Sequence, residues 1–238
     1  MTNLYLIRHG EAKLVENGIL SDFGLSPRGK KQAEALRDRL AASGEIQADV
    51  VIASTLPRAR ETAEIIAPAL KRPLIFDDEL QEMRAGFLSN IPLAEYEQKY
   101  KPTMPDYELE PYRVWAPGAE NWGQFLLRVG TALERITQEY QGKNIVLICH
   151  GGVIDTSFIY FFNVGAITMP PVHFDTQNTS ITHWKCTARP EQKRPVWRLM
   201  RYNDAFHLMD LETETRIPWE ALRRTAKQQE PTQAPTEE

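Results

Sequence analysis

The chain has 238 residues, 28 Lys plus Arg against 32 Asp plus Glu for a formal net charge of −4, and is 42% hydrophobic and 25% charged. That length and balance suit a globular chain with a real core, and they exclude one that is disordered throughout, collagen-like or built on disulfides. The mild acidity disfavours a general nucleic-acid binder, which needs a basic surface.

Residues 3–7 form a short apolar run ending in Arg8-His9-Gly10, and residues 49–53 (Asp-Val-Val-Ile-Ala) form a second. Residues 145–149 (Ile-Val-Leu-Ile-Cys) form a third, again followed by His-Gly. Continuous apolar runs of this length suit strands covered on both faces of a parallel sheet. Between the first two, Ser26 reads as an N-cap and Pro27 as the first turn of a helix in which Ala33, Leu36 and Leu40 recur until Gly44. Pro57 opens a second helix with Ala59, Thr62, Ala63, Ile66 and Leu70 on one face. The spacing of Trp122, Phe125, Leu126, Val129, Leu133 and Ile136 predicts a third from near Asn121, with Gly142 beyond its end, and residues 153–162 a fourth. Strand and helix alternate, which is the α/β pattern.

Residues 83–118 differ. Pro92, Pro102, Pro105, Pro111 and Pro117 punctuate them, so they read as an insertion packed on the sheet edge with room for one short helix in 92–101. Residues 180–185 and 196–202 read as antiparallel additions, and residues 225–238 as a solvated tail. The N-terminus lacks the basic leader and apolar core of an export signal, and the most apolar stretch is broken by His150, two glycines and Asp155. The expected protein is cytoplasmic, with no membrane partner. Cys149 and Cys186, with no CxxC pair, predict neither a disulfide framework nor a zinc cluster. Asn178-Thr-Ser180 fits a glycosylation acceptor, but no export signal accompanies it.

Three polar clusters follow the three apolar runs: Arg8-His9-Gly10-Glu11, Ser54-Thr55-Leu56-Pro57-Arg58 and His150-Gly151-Gly152. In an open α/β sheet the carboxyl ends of the strands share one edge, where ligands bind. Two His and two Arg therefore converge there. Guanidinium forks match phosphate oxygens, and helix N-termini after Pro57 and Gly152 would add free N–H groups. One imidazole is then available as a nucleophile, although the residues alone leave open which.

With these clusters in place the sequence resembles the histidine phosphatase superfamily, the phosphoglycerate mutase-like proteins. The matching motifs are Leu6-Ile7-Arg8-His9-Gly10-Glu11, then Leu25-Ser-Pro-Arg-Gly29-Lys-Lys-Gln32-Ala33, then Ser54-Thr-Leu-Pro-Arg58-Ala-Arg-Glu-Thr62-Ala63, and the stretch 146–152. The resemblance implies a three-layer sandwich with a mostly parallel central sheet. One domain would span residues 1–224, with 83–118 as a cap-like insertion over the active site. It implies that His9 becomes phosphohistidine while Arg8, Arg58 and His150 hold the transferring group, and that Glu82, in Glu79-Leu80-Gln-Glu82, is the acid that protonates the leaving oxygen. Such an acid must keep its proton at neutral pH, which burial beside a dianionic ester favours. No metal or cofactor is implied.

The family's Trp-Asn after the first motif is replaced by Leu14-Val15, which leaves Asn17, two residues on, as the candidate phosphate contact. The common Gly-x-Trp-Glu-Gly becomes Gly86-Phe-Leu-Ser-Asn90, and Pro117-Gly-Ala-Glu120-Asn stands for Pro-Gly-Gly-Glu-Ser. His173, His183 and His207 read as structural. The expected activity is hydrolysis of a small phosphorylated metabolite. A cofactor-dependent phosphoglycerate mutase is the nearest rival, and Gly18-Ile-Leu-Ser-Asp-Phe-Gly24 lacks the mutase-like Phe-x-Gly-Trp-x-Asp. A non-catalytic phosphate-binding scaffold would need none of the five site residues. An exposed β edge could pair two copies as a homodimer.

Overall fold

A computed structural model describes residues 1–165, 167, 174–187, 196–209 and 211. The three apolar runs become β1 (Thr2–Arg8), β4 (Val50–Ser54) and β7 (Asn144–Cys149). Between β1 and β4 lie two short strands, β2 (Val15–Glu16) and β3 (Ile19–Leu20), and helix α1 (Pro27–Ser43). Ser26 caps α1 by accepting from the Gly29 N–H, and Gly44 ends it in the left-handed conformation at φ 59°. Helix α2 (Pro57–Leu70) buries the five residues whose spacing predicted it.

Strand β5 (Leu74–Asp77) follows, then β6 (Ile91–Pro92) and a single helical turn α3 (Leu93–Glu95) that runs on through Tyr100 in a wider winding. Helix α4 (Trp122–Glu139) starts at a capping box made by Asn121 and Gln124. Helix α5 (Gly151–Phe161), β8 (Ile181–Thr187) and β9 (Val196–Asp204) complete the chain order.

The central sheet has the order β5-β4-β7-β1-β8-β9. Its first four strands are parallel and the last two antiparallel. Alternate residues of β1 feed the two faces. Tyr5 and Ile7 pack with Leu36, Ala63 and Ile66 of α1 and α2, while Leu4 and Leu6 pack with Phe125, Leu133 and Phe158 of α4 and α5. The result is a three-layer α/β sandwich.

Two features of the sheet lie outside the sequence reading. Strand β5 is a four-residue edge strand after Pro73, with Ile75 exposed, so it carries no continuous apolar run. The other concerns residues 83–118. Their strand β6 pairs with β3, not with the central sheet, and makes a three-stranded sheet with the β2–β3 hairpin. Leu88, Ile91 and Ala116 form a small core of their own there. Residues 225–238, read as a tail, lie outside the described residues, as does His173. Among the described residues, no helix is long and apolar enough to cross a membrane. Cys149 and Cys186 are both free and buried.

Candidate active site

Strands β1, β4 and β7 end in register, with Arg8 beside Cys149 and Ala53 beside Ile148. His9, Ser54 and His150 therefore leave the sheet together. The His9 and His150 rings lie 5.0 Å apart between centroids. His9 Nδ1 is 2.6 Å from the Gly10 carbonyl oxygen. A carbonyl can only accept, so Nδ1 carries the hydrogen and Nε2 presents its lone pair. Arg58 Nε donates to that lone pair at 3.0 Å, and Arg58 Nη1 is paired with Asp22 Oδ2 at 2.7 Å. Burial, then the Arg58 guanidinium, push His9 down to about 3. The same two causes hold His150 well below the ordinary imidazole range. Both rings are neutral at pH 7, the state in which His9 Nε2 can attack.

The turn carrying His9 is fixed from several sides. The Gly10 N–H donates to Thr62 Oγ1 at 3.0 Å, the Glu11 N–H to Gln32 Oε1 at 2.8 Å, and Asn178 Nδ2 to the His9 carbonyl at 2.8 Å. This turn also packs directly on the start of α1. A Cβ on Gly10 would stand 2.6 Å from the Gly29 oxygen, and one on Gly29 would stand 2.1 Å from the Glu11 oxygen. Gly29, Gln32 and Thr62 thus act on His9 through its backbone.

Arg8 donates from Nη1 to the Thr176 carbonyl, while its Nε is buried with no partner. His150 Nε2 is 2.7 Å from Ser54 Oγ, and its Nδ1 is buried with no partner. A buried cationic N–H without an acceptor is costly, and an oxyanion between the two rings and the two guanidiniums would supply one.

Glu79 and Glu82 separate in the structure. A 3-10 turn at Asp78–Leu80 sends Glu79 outward to Arg135 at 3.2 Å. Glu82 turns to the site, where its Oε2 accepts from the Gly152 N–H at 3.1 Å. That N–H, expected to be free at the start of α5, is therefore already engaged by Glu82. Arg128 of α4 holds the loop before Glu82, donating to the carbonyls of Glu79, Gln81 and Glu82 while gripping Glu120 through Nε and Nη2, each at 2.6 Å.

Asp155, one turn into α5, adds a further carboxyl. Burial and then the neighbouring Glu82 carboxyl push it up to about 7, against the pull of Arg8, and its Oδ1 has no partner. In the folded state it keeps a proton between about pH 4 and pH 7 that the unfolded chain has released. Its contribution to stability is thus present below pH 4 and lost as pH rises through 7. Asp155→Asn is expected to stabilise the protein by about 2 kcal/mol at pH 8 and by much less at pH 4 in urea titrations. An equal change at both pH values would refute the buried charge.

Arg58 and Glu82 line a cavity of about 760 Å³ that opens between the β2–β3 hairpin and residues 83–118. Asn17 is not part of it. It sits exposed at the hairpin turn with φ 50° and makes no hydrogen bond to the site, because the two-residue displacement puts it where the chain reverses. Asp22, from the loop after that hairpin, reaches Arg58 instead. Asp22, Arg128, Asp155 and Asn178 are the site residues that sequence reading missed; Asn178 carried only a glycosylation signal. His183 stacks on Tyr5 at 4.2 Å and His207 lies 2.9 Å from Thr179 Oγ1, and neither lines the cavity. Among the described residues, no group of three His, Cys, Asp or Glu side chains is placed to hold a metal.

The signature of the histidine phosphatase superfamily, branch 1, matches residues 4–204. The chain belongs to that superfamily. It is 30% identical over 186 residues to a bifunctional protein of Mycobacterium tuberculosis, covering 77% of this chain and 50% of that protein. The chain thus spans about half the length of its mycobacterial relatives. It is 27% identical over 217 residues to phosphoserine phosphatase 1 of Hydrogenobacter thermophilus, covering 90% of this chain and 98% of that one. Among solved structures, Bacillus stearothermophilus YhfR superimposes with a TM-score of 0.65 at 26% identity, covering 87% of this chain and all of its own.

Proposed function

We propose that this protein is a phosphomonoesterase that passes the phosphoryl group of a small metabolite through His9. The observation that carries the reading is the His9 ring itself, with Nδ1 tied to Gly10 and the Nε2 lone pair facing Arg58. Arg8, Arg58 and His150 take up the phosphate oxygens. The Nε2 lone pair forms a bond to phosphorus as the bond from phosphorus to the ester oxygen breaks, and Glu82 delivers its proton to the departing alkoxide. Glu82, now a carboxylate, takes a proton from water. The hydroxide so formed attacks phosphorus, the N–P bond breaks and inorganic phosphate leaves.

Neutral rings suit this sequence, because His9 needs a free lone pair to attack, while the Arg8 and Arg58 guanidiniums offset the charge of the incoming dianion. The named activity of the Hydrogenobacter relative is of the same class. The superfamily's mutase chemistry would need the phosphoryl group to return to a second hydroxyl, and no observed feature favours that over water. The test is release of inorganic phosphate from a panel of phosphomonoesters with a chelator present. Steady turnover is expected. Tight phosphate binding with no release from any ester would instead establish a scaffold.

A further inference from the structure

The cavity beyond Glu82 is where the alcohol half of the ester must sit, and its walls carry little charge to spare. Leu14 and Leu20 of the hairpin region face Met83, Leu88, Tyr96 and Trp115 from residues 83–118. Tyr96 and Trp115 meet edge to face, with centroids 5.8 Å apart, and Trp115 Nε1 is already donated to the Tyr100 carbonyl. Two cations border the space, and each has an acidic partner. Arg58 is paired with Asp22 at 2.7 Å, and Arg84 with Asp78 at 3.3 Å while its Nε donates to Gln81. No lysine lines it. Glu82 itself and Asp155 within its electrostatic reach add two carboxyl groups on the inner side.

From this we infer that, given the phosphomonoesterase reading, the preferred substrates are monoesters of bulky, uncharged, largely apolar alcohols carrying a ring, and not carboxylated compounds such as phosphoserine. Three physical points support it. At about 760 Å³ the cavity greatly exceeds the volume of a three-carbon leaving group, whose methylenes would leave the aromatic wall wet. A leaving-group carboxylate would have to displace Asp22 from its buried pair with Arg58, compete with Asp78 for the solvent-facing Arg84, or sit unpaired beside Glu82. A ring seated on Tyr96 and Trp115 would bury apolar area on both partners and disturb no ion pair.

The test compares kcat/KM for 3-phenylpropyl phosphate, propyl phosphate and phosphoserine. The two alkyl esters have leaving groups of similar basicity, and phosphoserine has a better one, so leaving-group chemistry opposes the expected order. The phenylpropyl ester should exceed the propyl ester by about 30-fold and phosphoserine by about 100-fold. Tyr96→Ala and Leu14→Asp, on opposite walls, should each cut the phenylpropyl-to-propyl ratio at least about fivefold. Equal or better turnover of phosphoserine or propyl phosphate would overturn the inference while leaving the phosphomonoesterase reading intact. A phenylpropyl preference that neither variant alters would overturn the assignment to this cavity. Absence of turnover with every ester would overturn both.

Discussion

His9→Ala should lower kcat by at least about 10⁴-fold for every ester while leaving the protein folded and able to bind inorganic phosphate. The loss follows from what the side chain does. His9 holds its tautomer through Gly10 and aims Nε2 at the Arg58 side of the site, and His150, the other imidazole of the site among the described residues, is engaged by Ser54 at 2.7 Å. Alanine removes the attacking atom and leaves the oxyanion contacts. The fixed backbone around it, bonded through Thr62, Gln32 and Asn178, does not depend on the imidazole. Inhibition by phosphate and thermal melting, measured beside turnover, separate chemistry from folding. Residual activity within tenfold of the parent protein would show that His9 is not the nucleophile.

Gly152→Ala is the second change expected to have a large effect, and it reaches the chemistry without altering any ionisable group. A Cβ at residue 152 would stand 2.4 Å from Glu82 Oε1 and 2.9 Å from Phe125 Cζ. Phe125 is fully buried in the core, so the carboxylate is the group that must give way. Its bond from the Gly152 N–H would be lost as well. For alkyl phosphates, whose leaving oxygen needs a proton, kcat/KM should fall by about 10²- to 10³-fold. For 4-nitrophenyl phosphate, whose phenolate leaves unprotonated, the fall should be less than about tenfold. Glu82→Gln should reproduce the same contrast without the overpacking. Equal losses on both kinds of ester would remove Glu82 from the role of proton donor.

Much of this site is legible in the sequence because the fold places it there by a simple rule. An apolar run that ends in polar residues is a buried strand reaching the edge of its sheet, and parallel strands bring those ends together. Arg8, His9, Arg58 and His150 obey that rule, and the helices between them announce themselves by spacing and caps. Residues that reach the site across the fold follow no such rule. Arg128 lies on α4 beside an apolar stripe, yet it fixes the loop before Glu82 from the opposite side of the chain. Asp22 and Asn178 come from turns whose course is set by tertiary contacts. The choice between Glu79 and Glu82 depends on one 3-10 turn, which the spacing of two glutamates does not reveal. Asn17 illustrates the converse: a residue two positions from an expected contact falls at a hairpin turn, where its left-handed backbone serves the reversal.

Most directly, the account is tested by trapping the intermediate. Protein mixed with a labelled monoester should be quenched in alkali within one turnover, digested, and the label mapped by mass spectrometry. The expected adduct is stable to base, is lost in acid, lies on His9, and carries phosphorus on the nitrogen not bonded to Gly10. Label on His150 or on any other residue, or turnover with no adduct at any time after mixing, would contradict it.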